Sequence, residues 1–436
     1  MKPPKLPPTF RNSSPIASGL AVRRDPIAFF KKLATEAGDV AHFVLKDALI
    51  YVVQDPALIR EIFAASEDTF AKWSARKGTL AVFGRGLLGS EGSRHRRMRR
   101  ALSPVFHQTQ LMKFADQILE VSNRHETQWP KNEPFDFAHA LALLTLEVVV
   151  EALFHSKLNG RGETIIRAND TMQRLEIRFG TSEVDDSTML QASDLIDSIT
   201  NDLLEERIAS GNGENDLVTL MISAIEGTES ETEREQLVQE ARTFLLAGHV
   251  TTATSVAGAL WLLATHPEMQ NQLQVEIDRL LEGREPHFGD LSKLAAVENI
   301  FLETLRLYPP VWVMGRRALR DFSFGEYFFP AESQITICPW LIHRDSRYFE
   351  QPEEFRPERW KDDARSKLPR IVYMPFSSGT RGCFGERFAM MEAILLLTKF
   401  VQRWTFAAVP ERHVTWTPLV TMCPLDGIWL RATPRP

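Results

Sequence analysis

Cysteine is scarce in this chain, whose 436 residues include only three: Cys338, Cys383 and Cys423, far apart in sequence. No CxxC pair and no cluster of cysteine with histidine occurs, which argues against a structural zinc site and against a disulfide framework. An odd and low number of cysteines is typical of a protein that works in a reducing compartment.

Long apolar runs are missing as well. The N-terminus reads MKPPKLPPTF, without the apolar stretch of a signal peptide, and no run of 18 apolar residues follows that could cross a membrane. We therefore expect a cytoplasmic protein without a membrane span. Four prolines among residues 3–8 favour an extended backbone, and we predict a proline-rich, extended lead-in over residues 1–25.

An excess of positive charge is also absent, since the net charge is −6, and the composition gives no reason to expect nucleic-acid binding. A content of 44% hydrophobic and 25% charged residues is typical of a globular protein with a large core. The candidate linkers at 159–162 and 210–214 are short enough to be loops. We therefore predict a single domain over residues 1–436.

Hydrophobic periodicity predicts a mainly α-helical chain with small β-sheets at both ends. Residues 233–265 are expected to form one helix of about 30 residues, long enough to cross a whole domain. The other predicted elements are a short helix at 26–37, strands within 40–54, a mostly helical region from 56 to 307, β-like runs in 316–337, ordered coil at 345–380, a helix at 384–404 and β-like segments after it.

The most informative stretch is 374–389, MPFSSGTRGCFGERFA, in which glycines surround Cys383 and a predicted helix begins directly afterwards. Glycine allows tight turns and a close approach of the backbone to a flat ligand. Free N–H groups and the positive end of the helix dipole favour a thiolate, which is a good ligand for iron. A buried, inert cysteine and a nucleophilic cysteine are the alternatives, but no suitably placed histidine signature accompanies the latter.

The residues around Cys383 resemble the haem-binding signature of the cytochrome P450 family position for position. The matching residues are Phe376, Gly379, Arg381, Cys383 and Gly385, and a wider resemblance runs in the family's order from about residue 26 to residue 430. The resemblance implies that Cys383 is the axial ligand of the haem iron and that the other four residues belong to the haem-binding loop.

A second resemblance lies about 80 residues earlier, where FLETLR looks like the family's ExxR helix. Its residues Glu303 and Arg306 stand at i and i+3, so they share a helix face and can pair. Arg359, in FRPERW, resembles the arginine that joins this pair in the family, where the three residues fix the cysteine loop. Taken alone, such a pair is usually a surface salt bridge that contributes little to stability.

The long predicted helix carries LAGHVTT at 246–252, which resembles the family's oxygen-binding segment. The resemblance implies that Ala247 and Gly248 leave room for a ligand and that the Thr251 hydroxyl supports proton delivery. A threonine that bonds back to its own helix is the alternative. The family usually has an acid before this threonine, but here Val250 stands there and cannot relay protons. His249 is adjacent, about 100° around the helix.

Four basic residues resemble the family's contacts to the haem propionates: His95 and Arg99 in RHRRMRR at 94–100, Arg316, and His343 in IHRD. For Arg316, the neighbouring Arg317 is the alternative, and for each of the four the alternative is a solvated charge. The remaining arginines of the first motif, Arg94, Arg96, Arg97 and Arg100, exceed what two propionates need. They are expected to attract an acidic electron-transfer partner, whereas a short basic helix without aromatics is poor evidence for nucleic-acid binding.

The resemblance implies the family's fold, a mainly α triangular prism with haem b between the long central helix and the cysteine helix. It also implies activation of dioxygen with electrons from a separate protein, such as ferredoxin with ferredoxin reductase, since the chain contains no fused redox domain. The expected pocket for a lipophilic substrate is largely apolar and includes Leu80, Phe83, Phe244, Ala247, Val311, Val313 and Met422, although any of them could simply belong to the core.

Two other functions remain open on this reading. A haem–thiolate peroxygenase, isomerase or dehydratase would use the same cysteine without electron delivery, and Val250 gives this alternative some support. A haem-binding sensor or carrier without turnover is the second alternative. Thr251 and the basic motif at 94–100 favour the monooxygenase, in which the thiolate promotes O–O cleavage and one oxygen atom enters the substrate by hydroxylation or epoxidation.

Overall fold

A computed structural model describes residues 5–9, 14–45, 48–72, 82–176, 186–211, 216–225 and 233–436, and these residues form a mainly helical structure, as predicted. The helices are α1 (Pro15–Arg24), α2 (Pro26–Ala37), α3 (Pro56–Ala64), α4 (Gly92–Leu102), α5 (Gln108–Glu126), α6 (Phe137–Phe154), α7 (Gly162–Glu176), α8 (Asp186–Ala209), α9 (Leu217–Ile225), α10 (Glu233–Thr265), α11 (Pro267–Leu281), α12 (Ala295–Leu307), α13 (Pro339–Ile342), α14 (Ala364–Lys367) and α15 (Glu386–Arg403).

The strands are short and form small sheets at the periphery of the helices. They are β1 (Val40–Leu45), β2 (Ala48–Val53), β3 (Phe70–Lys72), β4 (Pro134–Asp136), β5 (Met314–Ala318), β6 (Phe322–Phe324), β7 (Tyr327–Phe329), β8 (Gln334–Ile337), β9 (Trp404–Ala408), β10 (Trp416–Pro418), β11 (Met422–Pro424) and β12 (Trp429–Pro434). The largest sheet has the order β1-β2-β8-β5-β3, with β2 and β8 parallel and the other neighbours antiparallel. It therefore joins strands from the beginning of the chain to strands that follow α12.

The predicted extended lead-in is wrong over residues 15–24, which form α1. The sequence Ser14-Pro15 starts this helix, because the Ser14 hydroxyl accepts a hydrogen bond from Ala17 N at 3.1 Å and proline fits the first helical turn. The extended conformation holds farther upstream, where Lys5 and Thr9 form bridges to Tyr327 and His42.

Helix α10 spans the 33 residues predicted for the long central helix and packs along α6. Both helices are long and apolar enough to cross a membrane, but 67% of the apolar stretch of α6 and 78% of that of α10 are buried inside the protein. Burial against each other and against their neighbours is what core helices require. The contact between α6 and α10 is close, because a Cβ atom on Gly248 would lie 2.9 Å from Val149 Cγ2.

Candidate active site

Cys383 lies in a tight loop that leads into α15. Its backbone N–H donates to the Phe376 carbonyl at 2.8 Å, and Gly382 N–H donates to the Gly379 carbonyl at 3.1 Å. Gly379 has a φ of +71°, and a Cβ atom there would lie 2.5 Å from the Phe63 carbonyl oxygen, so a side chain cannot be accommodated. A Cβ atom on Gly385, at the start of the helix, would meet nothing within 4 Å.

The side chain of Cys383 is exposed, whereas Cys338 is fully buried and its thiol donates to the Trp312 carbonyl. Surrounding protein nevertheless desolvates the Cys383 thiol and raises its pKa to about 11, against the opposing effects of the Gly385 N–H and Arg99. The N–H group at the start of the helix does favour the thiolate, but desolvation of the thiol has the larger effect. A thiolate at this position needs the charge of a bound metal ion.

The predicted partners Glu303, Arg306 and Arg359 come together in a buried cluster. Arg306 donates to Glu303 through Nε and Nη2, each at 2.9 Å, and Arg359 Nε donates to the same carboxylate at 2.9 Å. Glu303 also accepts hydrogen bonds from Arg356 N and from Trp360 Nε1, both at 2.9 Å. Glu303 and Arg306 are fully buried, so this is not the surface salt bridge of the alternative interpretation.

The cluster connects α12 to the segment that precedes the cysteine loop. Arg306 donates to the carbonyls of His343, Pro352 and Glu354 at 2.6–2.9 Å. His343 Nε2 in turn accepts a hydrogen bond at 3.0 Å from the N–H of Met374, where the loop begins. The ion pair therefore positions the cysteine loop through a short chain of hydrogen bonds.

This role replaces the propionate contact expected of His343. Its side chain is fully buried by protein, with its ring 5.2 Å from the Tyr373 ring, so it has no surface left for a further ligand. Burial, with the nearby charges of Arg306 and Arg344, lowers the pKa of His343 to about 3, which keeps the imidazole neutral as the acceptor from Met374.

The other predicted basic residues do lie together, beside the cysteine loop. Arg99 donates to the Gly382 carbonyl at 2.9 Å, and its guanidinium lies 5.2 Å from the centre of the Phe384 ring. Arg316 is 8% exposed and packs 5.0 Å from the Phe63 ring. Within the described part of the chain, no carboxylate pairs with Arg99 or Arg316, and burial lowers the pKa of Arg316 to about 10.

Arg381 and a neutral His95 complete this cluster of basic side chains. Arg381 donates to the Ser90 carbonyl at 2.7 Å and pairs with Glu91. His95 is buried, its Nδ1 has no hydrogen-bond partner among the described residues, and its pKa falls to about 3 through burial and the charge of Arg381. By contrast Arg317, the alternative to Arg316, points away and pairs with Glu332 at 2.6 Å.

Lys72 is a member of the cluster that the sequence analysis missed. Burial, together with the charges of Arg381, Arg316 and Arg99, lowers the pKa of Lys72 to about 7. Buried cations that depress one another's pKa values are costly unless an anion offsets them. Two propionate groups would supply that charge, and the exposed cysteine would supply an iron ligand, so the residues fit a haem.

The segment 246–252 of α10 departs from one expectation, the room for a ligand beside Gly248. The Thr251 hydroxyl donates to the Ala247 carbonyl at 3.0 Å, as in the alternative interpretation, while keeping its acceptor sites. Gly248 leaves no room for a ligand, since Val149 of α6 fills the space beside it. His249 is buried, donates from Nδ1 to the Leu245 carbonyl at 2.7 Å, and burial lowers its pKa to about 4.

A buried acid, Glu392 of α15, lies close to this segment and was also missed. Neither of its carboxyl oxygens has a hydrogen-bond partner in the described part of the chain. Burial raises the pKa of Glu392 well above its ordinary value, against the opposing effect of the nearby Thr252 hydroxyl. Burial therefore favours the neutral, protonated form of Glu392 beside α10.

The expected pocket residues are placed unequally. The Phe244 ring packs edge-on to Phe384, 6.0 Å away, which sets it next to the cysteine loop beside Ala247. Met422 is fully buried in a cluster with Trp312 and Phe30, so the prediction that it lines a pocket is wrong. The rest differ in exposure: Phe83 is buried, Val313 is half-buried and Val311 is 37% exposed, while Leu80 lies outside the described residues.

A separate cavity of about 250 Å³ lies against the face of α10 that carries His249 and Val250. It is lined by Val250, His249 and Asn169 among others, and it extends to Asp170 on α7 and to Cys423 near the C-terminus. None of the predicted pocket residues that the structure describes lines it. Val250 therefore lies on the face of α10 that borders this cavity, whereas Phe244 does not line the cavity.

Comparison with known proteins identifies the family of this chain. The family model for cytochrome P450 matches residues 7–420. Cyclooctatin synthase of Streptomyces melanosporofaciens is 27% identical over 96% of this chain and 93% of its own length. Cyclooctat-9-en-7-ol 5-monooxygenase of the same organism is 27% identical over 90% and 87%, and pentalenene oxygenase of Streptomyces avermitilis is 25% identical over 94% of each. The chain belongs to the cytochrome P450 family of haem-dependent monooxygenases.

Proposed function

We propose that this chain inserts one atom of dioxygen into a lipophilic small molecule, by hydroxylation or epoxidation, with electrons from a separate redox protein in the cytoplasm. The observation that carries the proposal is the exposed Cys383 at the start of α15, beside the half-buried Arg99 and the buried Arg316, which lack carboxylate partners in the described chain. The bound haem would supply the reductive activation of dioxygen.

The residues that would hold the haem come from three parts of the chain. Cys383 would bind the iron, and Arg99, Arg316, Arg381 and His95 would bind the two propionates. Phe376, Gly379 and Gly385 would keep the loop narrow enough for the flat ring to approach. Glu303, Arg306 and Arg359 act at a distance, by holding the segment from which the loop starts.

Proton supply would rest on Thr251 and on buried acid near it. The Thr251 hydroxyl has free acceptor sites and can pass on a proton held by water. Val250 carries no proton, but burial favours the protonated form of Glu392 on α15, which lies beside Thr252 of α10. We infer that Glu392 compensates for the valine.

The substrate would enter beside Phe244 and Ala247, whose apolar surfaces favour a lipophilic compound without charge. The names of two relatives, cyclooctat-9-en-7-ol 5-monooxygenase and pentalenene oxygenase, point to hydrocarbon rings with few polar groups. A terpenoid is therefore the first substrate class to test.

The redox partner would bind at α4. Arg96, Arg97 and Arg100 are exposed on this helix, and the same helix carries Arg99, which contacts the cysteine loop. Arg96 pairs with Glu67, whereas Arg97 and Arg100 have no carboxylate partner in the part of the chain described. An acidic partner such as ferredoxin, reduced by ferredoxin reductase, fits this surface.

An absorption spectrum of the purified protein, reduced with dithionite and exposed to carbon monoxide, tests the ligand. A strongly red-shifted Soret band that disappears in the Cys383→Ser variant is the expected result. Retention of that band in the variant would exclude Cys383 as the ligand.

An assay of product formation then distinguishes the monooxygenase from the peroxide-driven alternative. Terpenoid substrates that shift the iron spin state are incubated with ferredoxin, ferredoxin reductase and NADPH, or with hydrogen peroxide alone. Product that forms only with the redox proteins supports the proposal. Product that forms only with peroxide, or haem chemistry that needs no oxidant, favours a peroxygenase or an isomerase, and binding without any turnover favours a sensor.

A further inference from the structure

The cavity of about 250 Å³ beside His249 and Val250 is a part of the molecule that the proposed reaction does not use. Its walls come from α6, α7, α10 and the C-terminal segment between β10 and β12. Phe244 and Ala247, beside which the substrate would enter, do not line it. The cavity is therefore a separate candidate binding site. Its size suits a small ligand, since pockets for drug-sized molecules measure about 300–1,000 Å³.

Asn169 of α7 supplies an unused hydrogen-bond acceptor to the lining of this cavity. Only 2% of its surface is exposed, and its Oδ1 has no hydrogen-bond partner among the described residues. A buried polar atom without a partner costs free energy, which a donor on a bound molecule would recover. On α10, His249 donates from Nδ1 to the Leu245 carbonyl, which leaves Nε2 of the neutral ring as a second acceptor. The buried part of the lining therefore favours a ligand that donates hydrogen bonds.

Asp170, the next residue on α7, adds a negative charge to the lining. Its carboxylate is exposed to the cavity and forms no hydrogen bond or ion pair within the described part of the chain. Surrounding protein desolvates this carboxylate and raises its pKa, against the opposing charges of Arg174 and His139. A bound cation would offset the cost of desolvation, because an opposite charge close to a carboxylate favours its ionised form.

The other charged side chains of the lining leave this negative charge in excess. Arg174 donates to a backbone carbonyl at 3.0 Å, and His139 pairs with Glu163 at 2.9 Å. Asp136 accepts hydrogen bonds from backbone N–H groups at the start of α6. Asp426 is exposed and adds a further carboxylate. The charge of the lining therefore favours a cation over an anion.

The remaining lining is largely apolar and includes Ala142, Ile166, Val250, Ala253 and Leu419. An inorganic cation would leave this surface in contact with water, whereas an amine with a short hydrocarbon group would cover it and gain from its burial. An ammonium group also carries three N–H donors, which match the free acceptors of the lining.

We propose that this cavity binds a small organic cation, a primary amine with a short hydrocarbon group. Its ammonium donates to Asp170 and Asn169, and its hydrocarbon group packs against Ile166 and Val250. Such a ligand contacts α7 and α10 together and therefore stabilises the packing of these two helices. The site needs neither haem nor Cys383, so it goes beyond the proposed function and is independent of it.

The test is equilibrium dialysis of the full-length, haem-loaded protein with radiolabelled benzylamine. The protein is reduced and saturated with carbon monoxide, so that the amine cannot coordinate the iron. Salt at about 0.15 M limits long-range charge attraction to about 8 Å. Saturable binding of one benzylamine per chain is the expected result. Benzyl alcohol has the same shape but no charge, and should bind about tenfold more weakly or less.

Two variants of the lining should weaken the binding of benzylamine. Asp170→Asn should weaken it by about 10- to 100-fold, because a hydrogen bond between charged groups is lost. Asn169→Leu keeps the volume but removes the acceptor, and should weaken binding by about 3- to 10-fold. Asp194→Asn is the matched control for the loss of charge, because Asp194 is exposed on α8 and does not line the cavity, and this variant should bind like the native protein. The carbon monoxide spectrum of each variant shows that its fold is intact.

Several outcomes would overturn the proposal. Benzylamine that does not bind saturably, or that binds equally to the Asp170→Asn variant, would exclude the site. An equal loss of binding in Asp194→Asn would show that net charge, rather than the cavity, attracts the amine. Benzoate that binds more tightly than benzylamine would make Arg174 the centre of an anion site instead. Because dialysis does not involve turnover and the spectrum reports the haem separately, failure of this proposal is distinguishable from failure of the proposed function.

Discussion

The carboxylate of Glu303 and the guanidinium of Arg306 face each other through two hydrogen bonds of 2.9 Å, and both side chains are fully buried. Loss of either charge would leave the other without its partner in a low-dielectric interior. Glu303→Gln should therefore lower the free energy of unfolding by about 3–5 kcal/mol, measured by urea denaturation. Glu36→Gln, which removes the exposed partner of Lys32, is the control and should change it by less than about 1 kcal/mol. Equal effects would show that the buried pair does not stabilise the fold.

The glycine at 248 permits a second prediction. Because a Cβ atom there would meet Val149 Cγ2 at 2.9 Å, Gly248→Ala should destabilise the protein by about 1–3 kcal/mol through overpacking. Val149→Ala in the same chain removes the clash, so the double variant should be more stable than the sum of the two single changes predicts. Additive changes in the free energy of unfolding would mean that Gly248 faces a ligand space, as the sequence resemblance had implied.

The cationic cluster predicts how the protein holds its cofactor. Arg316→Gln should weaken haem binding by about 10- to 100-fold, since a charged hydrogen bond to a propionate is lost. Transfer of haem to an excess of apomyoglobin measures this change. In the haem-free protein the same variant should raise Tm, because an unpaired buried cation is removed.

Arg317→Gln is the matched control for Arg316→Gln. Arg317 is the next residue along β5 but pairs with the exposed Glu332, so its loss should leave both haem transfer and Tm nearly unchanged. Similar haem loss from both variants would indicate a general weakening of β5 rather than a contact to a propionate.

The local parts of the site could be predicted from the sequence, because their geometry depends on neighbours in the chain. The spacing of Glu303 and Arg306 fixes a shared helix face, and Gly379 and Cys383 belong to one loop whose turns are set within a few residues. Helix α10 was predicted over its full length because its pattern continues without a break from Glu233 to Thr265.

The remaining features depend on burial by distant segments, which local patterns do not encode. Lys72 and Glu392 become part of the site only because other helices and strands desolvate them. His343 and Met422 were assigned to ligand contacts, but their side chains are fully covered by protein. Trp360 donates a hydrogen bond to Glu303, which lies 57 residues earlier in the chain. The sequence around Trp360 does not indicate that bond.

Glu392 predicts a pH dependence of stability whose sign follows from its pKa. Its pKa in the folded protein is raised above that of the unfolded chain, so the unfolded state releases the proton first as pH rises. Stability should therefore fall between about pH 4.5 and the folded pKa, by about 1.4 kcal/mol for each pH unit. Glu392→Gln keeps the shape but cannot ionise, and should gain stability over the native protein as pH rises from 5 to 8. Urea denaturation at both pH values measures the free energy of unfolding of each protein. If the difference between the variant and the native protein is the same at both pH values, Glu392 is not the group that titrates.

Electron delivery predicts a rate effect that depends on salt. Arg97 and Arg100 are exposed on α4 without carboxylate partners in the described chain, so their charge can steer an acidic redox protein. Arg97→Ser/Arg100→Ser should slow reduction by ferredoxin about tenfold at low ionic strength, measured by stopped-flow absorbance, because steering speeds association by 10-fold or more. The difference should shrink as salt screens the charges, since the Debye length falls from about 30 Å at 0.01 M to about 3 Å at 1 M.

Arg167→Ser is the control, because Arg167 is exposed on α7, and its side chain lies 4.0 Å from Glu163. A decrease of the same size in the control would mean that net charge, rather than the surface of α4, attracts the donor.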